Sequence, residues 1–162
     1  KTYDSVFYRH NFGHDGPEKF KEVGVNAKMS ELQAALGLAV FKYIPEILNN
    51  RNTIVERYKT KLRVGRTIQL REHTQWNSSY FPLILDDKEQ LNNIIELLHK
   101  NSIFPRRYFS PSLDNLFEAD NPICTVSHSI ASRVICLPLC HDLDSMDQDL
   151  VINLINKFAV DE

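Results

Sequence analysis

Several familiar signatures are missing from this sequence. No P-loop, GxGxxG, HExxH or GxSxG pattern occurs, so phosphate-loop, dinucleotide, zinc-peptidase and serine-hydrolase chemistry has no local signature. Cysteine is scarce: the 3 residues Cys124, Cys136 and Cys140 form no CxxC pair, and an odd number argues against a disulfide framework and for a reducing, cytoplasmic setting. Cys136 and Cys140 lie in the apolar run Val134-Ile135-Cys136-Leu137-Pro138-Leu139-Cys140 and read as small buried hydrophobes. No apolar run is long enough to span a bilayer, and Lys1-Thr2-Tyr3-Asp4 carries no signal-peptide pattern. Charge of one sign is also lacking: 19 Lys+Arg against 21 Asp+Glu give a net charge of -2 and no basic field. Neither a nucleic-acid nor a membrane partner is therefore expected. The six histidines are scattered, and His10 and His14 share an i, i+4 spacing only within a Gly-rich stretch, so no metal site is expected. The first residue is Lys1 rather than Met, which reads as a fragment.

The patterning that is present predicts helices and short strands. Residues 1–26 read as irregular and polar, punctuated by Gly13, Gly16, Pro17 and Gly24, with Val6-Phe7-Tyr8 as the end of a strand. Ser30 followed by Gln33 forms a capping box, and Glu31 adds negative charge where the helix dipole favours it. The helix from Leu32 to Tyr43 is apolar on almost every face, which predicts burial, with a subunit interface as one possible cover. Pro45 suits the first turn of a second helix. Ile47, Leu48, Ile54, Val55, Tyr58 and Leu62 keep helical spacing along it, while Arg51, Arg57, Lys59 and Lys61 form a solvated side. At 1.5 Å per residue this rod is roughly 27 Å long.

After Gly65 the period changes. Thr67–Leu70 and Ser79–Leu85 read as strands, with Pro82 marking an edge or a bulge. Asp86 with Glu89 predicts a helix whose core face is Leu91, Ile94, Ile95 and Leu98. Ile103 to Tyr108 reads as a further strand, followed by a loop with Pro111 and Pro122. A short helix near Val126–Arg133 comes next, then a strand at Val134–Leu137 and a last helix capped by Ser145 with Gln148. That helix buries Leu150, Val151, Leu154, Ile155 and Phe158. The fold class is α/β, more narrowly an α+β small domain led in by a long connecting helix.

The informative stretch is Asn11-Phe12-Gly13-His14-Asp15-Gly16, followed by Gly24-Val25-Asn26-Ala27-Lys28-Met29-Ser30-Glu31-Leu32-Gln33-Ala34-Ala35-Leu36-Gly37. By chemistry alone it is a polar loop ending at a capped helix. Asn26 is an amide donor and Lys28 a cation just before a positive helix end. That place suits a phosphate or carboxylate, but many helices start after an Asn or a Lys with no ligand, and by chemistry alone that plainer reading is favoured. The stretch resembles the DegT/DnrJ/StrS family of sugar aminotransferases, whose block Gly-x-Asn-x-Arg-Met-Ser-Glu-Leu-Gln-Ala-Ala follows a loop rich in Gly and His. The similarity is almost residue for residue over Gly24–Gly37. It continues more weakly through Arg51, Tyr58 and Leu62, Tyr80-Phe81-Pro82-Leu83, Arg107-Tyr108 with Pro111, and Leu137-Pro138-Leu139. Lys28 stands where most members have Arg; it keeps the charge and loses the bidentate fork.

The resemblance implies the C-terminal portion of a fold-type-I, aspartate-aminotransferase-like enzyme dependent on pyridoxal 5'-phosphate (PLP). Such an enzyme is a homodimer that takes an amino group, usually from glutamate, and passes it to a nucleotide-linked keto-deoxysugar. The loop and Lys28 resemble the branch that aminates keto groups of nucleotide-linked 6-deoxyhexoses, especially 3-keto sugars such as a dTDP-3-keto-6-deoxyhexose. The resemblance implies that Asn26 reaches the PLP phosphate of the partner subunit. His14, Lys28, Arg107 and Tyr108 are candidates for the nucleotide-sugar side of the cleft: cations suit a diphosphate and a phenol suits a sugar or base edge. Each is equally readable as a surface charge or a packing residue. The family's Schiff-base lysine precedes this loop in a Ser/Thr-rich, aromatic setting, and no lysine here has that context. The expectation is therefore a chain with no catalytic residue of its own that binds no PLP alone. Residues 1–43 would be the tail of the large PLP-binding domain and residues 44–162 the small C-terminal domain. The alternative is a non-catalytic regulatory or binding relative of the same fold.

Overall fold

The computed structural model describes residues 1–112 and 124–159; the Pro122 part of the expected loop lies outside the described residues. Two units separate, Lys1–Ile44 and Pro45–Glu162.

The first unit opens with helix α1, Thr2–Arg9. The expected strand end at Val6-Phe7-Tyr8 is thus a helix. Asp4 in the first turn and Arg9 in the last complement the dipole, and Tyr3 stacks on Phe7 one turn later at 6.3 Å. Residues 24–27 then lace back against the end of this helix. Val25 N–H donates to the Arg9 carbonyl at 2.8 Å, Ala27 N–H to His10 at 2.9 Å, and Phe12 N–H to Val25 at 3.1 Å. The approach is so close that a Cβ on Gly24 would lie 2.4 Å from the Gly13 nitrogen and 2.5 Å from the Arg9 oxygen. Gly13 itself has φ +82°, and a Cβ there would meet the Glu22 carbonyl. Only glycine fits either place. Helix α2, Glu31–Phe41, starts at the expected capping box: Ser30 Oγ accepts from Gln33 N–H at 3.2 Å, and Gln33 Oε1 accepts from Ser30 N–H at 2.9 Å. Its expected burial is not found in this chain. No residue of α2 is buried, and Leu32 and Leu38 are 81% and 78% exposed.

The second unit is an α+β domain. Helix α3, Ile44–Lys61, carries Pro45 in its first turn and buries Ile54, Val55 and Tyr58 on one stripe. Strands β1 (Arg66–Thr67), β2 (Phe81–Ile84) and β3 (Val134–Leu137) form an antiparallel sheet in the order β1-β2-β3. Helix α4 is Lys88–Lys100, α5 is Thr125–Arg133 and α6 is Ser145–Asn156. Along β2 burial alternates, so Phe81 and Leu83 enter the core while Pro82 and Ile84 face the other way. The core joins Tyr58 of α3, Phe81 and Leu83 of β2, Leu91, Ile94 and Leu98 of α4, Ile135 and Leu137 of β3, and Val151, Ile152, Leu154 and Ile155 of α6. Buried Gln148 keeps its place there because its Nε2 donates to the Ile54 carbonyl at 2.8 Å.

Several expectations shift for local reasons. β1 ends at Thr67, and Ile68 and Leu70 are exposed. Pro82 lies on the central strand of the sheet, yet β1 pairs only with Leu83 and Ile84, so Pro82 has no neighbour on the β1 side. Residues 103–108 form no strand: only Arg106 pairs, in a single bridge to Cys136, and the preceding Pro105 has no N–H to extend the ladder. The helix caps are Asp87, accepting from Gln90 N–H at 2.8 Å, and Asp144, accepting from Met146 N–H at 2.7 Å, one residue from the expected Asp86 and Ser145. Leu150 is exposed rather than buried, Phe158 is half-buried, and Cys140 is exposed, whereas Cys136 is buried as expected. No helix among the described residues is long and apolar enough to cross a membrane.

Candidate cofactor and substrate site

In the first unit the loop before α2 gathers three of the sequence-predicted residues. Asn26 pairs with Asn11 in an isolated antiparallel bridge. Lys28 reaches back across the same pair: its Nζ donates to Asn11 Oδ1 at 3.0 Å and lies 5.3 Å from the Phe12 ring centroid. Asn11 is thus the pivot that sets Asn26 and Lys28 side by side. The Asn26 side chain is exposed and has no hydrogen-bond partner among the described residues, so its amide is free to serve an outside acceptor. His14 lies further along the loop, its ring 4.3 Å from that of Phe20 and its buried Nδ1 without a partner. The base of the loop is fixed by Arg9 Nε on Glu22 Oε2 at 2.7 Å, with Ser5 Oγ at 3.3 Å on the same oxygen. That Arg9 bond holds the Glu22 carboxyl below the usual carboxylate range, against the opposing effect of burial.

The other two predicted residues belong to the second unit and have separate surroundings. Arg107 is bound inward: Nη2 donates to the Ala131 carbonyl at 2.6 Å and to Ser110 Oγ at 3.2 Å, and Nε to the Val134 carbonyl at 3.3 Å. It satisfies the Ala131 carbonyl in the last turn of α5 and the Val134 carbonyl just beyond it, and so ties that helix end to residue 107. Tyr108 lines a hollow of about 280 Å³ together with Ser79, Tyr80, Phe104 and Arg106. Arg106 Nη1 donates to the Tyr108 hydroxyl, and the Tyr80 and Tyr108 rings meet edge to face at 5.4 Å. Sequence reasoning missed Asn11, Tyr80 and Arg106. The Arg106-Arg107 doublet gave no sign of which arginine faces outward; that is set by the Arg106–Cys136 bridge, a tertiary contact.

The architecture and this loop have counterparts in known proteins. The model for the DegT/DnrJ/EryC1/StrS aminotransferase family matches residues 2–156. The chain belongs to that family. Curated relatives include the dTDP-4-amino-4,6-dideoxy-D-glucose transaminase of Escherichia coli, 32% identical over 155 residues that cover 89% of this chain and 41% of the relative. The enzyme of the same name from Shigella dysenteriae is 30% identical, with 91% and 42% covered. Among solved structures, DesI in the presence of its TDP-sugar product is 26% identical, covers 96% of this chain and 42% of its own, and has a TM-score of 0.80. A DegT DnrJ EryC1 StrS aminotransferase from Brucella abortus reaches a TM-score of 0.82 at 20% identity over 98% of this chain and 43% of its own, a likeness of fold. The chain thus spans about two fifths of the length of these family members and aligns to their C-terminal part.

Proposed function

We propose that this chain is the C-terminal part of a PLP-dependent sugar aminotransferase, cytoplasmic and homodimeric in its full-length form. In this reading residues 1–43 finish the large cofactor domain and residues 44–162 form the small domain. The observation that carries the reading is the family match over residues 2–156, joined to a loop that presents the Asn26 amide unpaired beside Lys28. An exposed donor amide and a cation at one loop fit a phosphate, and the role given to Asn26 is a bond to the PLP phosphate held by the partner subunit. PLP supplies the electron sink for moving an amino group from glutamate to a keto carbon. The residues of this chain bind and orient. Within the first unit Lys28 and His14 are the candidates for contact with the nucleotide sugar; within the second unit Tyr108 is the candidate, and Arg107 positions it by fixing the chain to α5. The Schiff-base lysine is assigned to the preceding part of the protein, so the chain alone forms no stoichiometric lysine adduct with PLP.

For the substrate, the names of the two curated relatives support a dTDP-linked sugar aminated at carbon 4, rather than the 3-keto sugar that the loop suggests by resemblance. The test is turnover by the full-length protein with PLP and glutamate, offered dTDP-4-keto-6-deoxyglucose and a dTDP-3-keto-6-deoxyhexose in parallel, with products read by mass and NMR. The expected product is the 4-amino sugar. Amination of only the 3-keto sugar would restore the resemblance-based assignment, and no amination of either would leave the regulatory alternative standing. Replacing Lys28 with Ala should raise the keto-sugar KM far more than the KM for glutamate; equal effects would mark Lys28 as structural.

A further inference from the structure

We infer that Arg106, Tyr80 and Tyr108 form an oxyanion-binding subsite in the second unit, taking a carboxylate or phosphate group of an organic ligand whose flat or apolar part rests on Phe104. The side chains are placed by the sheet rather than by a loose loop. Arg106 is bonded to β3 through both backbone groups, its N–H to the Cys136 carbonyl at 3.3 Å and its carbonyl to Cys136 N–H at 2.7 Å. Tyr80 immediately precedes β2, whose first pair is Phe81 with Leu137. Tyr108 has its carbonyl against Cys136 Sγ at 3.6 Å. The adjoining β2 and β3 therefore bring the two phenols and the guanidinium to one rim of the sheet.

The chemistry left unsatisfied points to an anion. Arg106 uses one N–H on the Tyr108 oxygen, and no carboxylate among the described residues pairs with it. A guanidinium has five N–H donors, and a phenol that accepts one hydrogen bond still has its own proton to give. Several donors therefore converge on the hollow of about 280 Å³, and Arg106 stays charged at any working pH. Phe104 is 71% exposed on the wall of the same hollow, an apolar face beside a cation, which suits a ligand with an anionic end and a planar or aliphatic body. The proposed function supplies two such anions, the diphosphate of the nucleotide sugar and the carboxylates of glutamate. The subsite rests on that reading only for which of them it meets.

The test is titration of the 162-residue chain with thymidine diphosphate, inorganic pyrophosphate, glutamate and thymidine separately, following the backbone amides of Tyr80, Arg106 and Tyr108 by NMR. Saturable shifts are expected with at least one anion and none with thymidine alone. Pyrophosphate responding without glutamate assigns the nucleotide end, and the reverse assigns the amino donor. Arg106→Met should weaken the responding anion about tenfold or more and Tyr108→Phe about threefold, while Arg106→Lys should recover part of the loss. Arg71→Met, an exposed arginine elsewhere, should change nothing. Absence of saturable shifts up to about 10 mM, a range that still detects millimolar binding, would overturn the subsite. Binding that survives both Arg106→Met and Arg106→Lys would do the same. Anion binding dependent on Arg106, in a full-length protein that aminates no sugar, would sink the aminotransferase reading and leave the subsite intact.

Discussion

Tyr58→Phe isolates one hydrogen bond at the centre of the second unit. Tyr58 is fully buried on α3, its ring 4.9 Å from that of Phe81, and its hydroxyl donates to the Pro138 carbonyl at 2.9 Å. Phenylalanine keeps the ring and its packing on Phe81, so the change removes only the hydroxyl and leaves the Pro138 carbonyl without that donor. A net protein hydrogen bond contributes about 0.5–1.5 kcal/mol, and an acceptor left unsatisfied in the interior costs about 1–3 kcal/mol. The expected destabilisation is about 1–2 kcal/mol, which for a unit of this size lowers Tm by about 4 °C per kcal/mol. Urea unfolding should show the midpoint moving with the slope unchanged, because the surface exposed on unfolding is the same. Burial, and next the nearby Cys140, push the Tyr58 phenol well above its ordinary value. Ultraviolet titration of the wild type should therefore show one phenol that ionises only as the fold opens, and that phenol should be missing from Tyr58→Phe. A variant with an unchanged midpoint would refute the reasoning and mean that the hydroxyl contributes nothing net to the core.

Three further outcomes follow from particular contacts. In the full-length protein Asn26→Ala should lower PLP affinity by about 1.5–3 kcal/mol, the range for a hydrogen bond to a charged group; unchanged affinity in equilibrium dialysis would return Asn26 to a helix-entry role. Gly24→Ala should destabilise the loop of the first unit by more than about 1 kcal/mol, because the added Cβ meets backbone atoms of Gly13 and Arg9 that cannot move apart independently. The readout is faster hydrogen exchange at Val25 and Ala27, and exchange at the wild-type rate would count against the close approach. The Arg57 and Lys61 hydrogen bonds hold the Asp149 carboxyl down to about 2 from an ordinary value of 3.8. A depressed folded value means that the contribution is fully present above pH 3.8 and is lost as pH falls through about 2. Wild type and Asp149→Asn should therefore differ in stability at pH 6 and converge near pH 2, with parallel curves counting against the cluster.

The sequence was most legible where periodicity and chain-local chemistry decide the outcome. The α2 capping box, the buried stripe of α3, the Leu91–Ile94–Leu98 face of α4 and the apolar β3 could all be read from residues within one element. Cap positions slipped by one because Asp86-Asp87 and Asp144-Ser145 each offer two adjacent capping side chains. Which of the two keeps an extended backbone is decided by the turn that enters the helix. The strands at 67–70 and 103–108 were overread because extent of pairing is a property of two chains. β1 finds only Leu83 and Ile84 opposite it, and only Arg106 in the later segment finds a partner on β3. The site divides in the same way. Asn26 and Lys28 were readable as a motif, whereas Asn11 between them, and Arg106 in place of Arg107 at the hollow, depend on bonds to residues 17 and 30 positions away, respectively.

Helix α2 shows what a local reading predicts and a single chain does not supply. Its hydrophobic residues face every direction, so no rotation about its axis could bury them on one neighbour and leave a polar face to water. A helix of this kind needs cover on more than one side. The described chain provides little: Leu32, Leu36, Leu38 and Phe41 are all more than 60% exposed, and nothing on the helix is buried. Its start is nevertheless fully specified, with the capping box satisfying Gln33 N–H and Ser30 N–H reciprocally, and Gly37 has open space where its side chain would be. The sequence therefore fixes the helix securely and leaves its surface unmatched. Under the proposed function the missing cover is the large domain and the second subunit, the same two bodies that would bring the PLP phosphate to Asn26. On that account the cost of leaving α2 bare in water and the inability of this chain to hold the cofactor alone have one cause, and restoring the preceding part of the protein should remove both together.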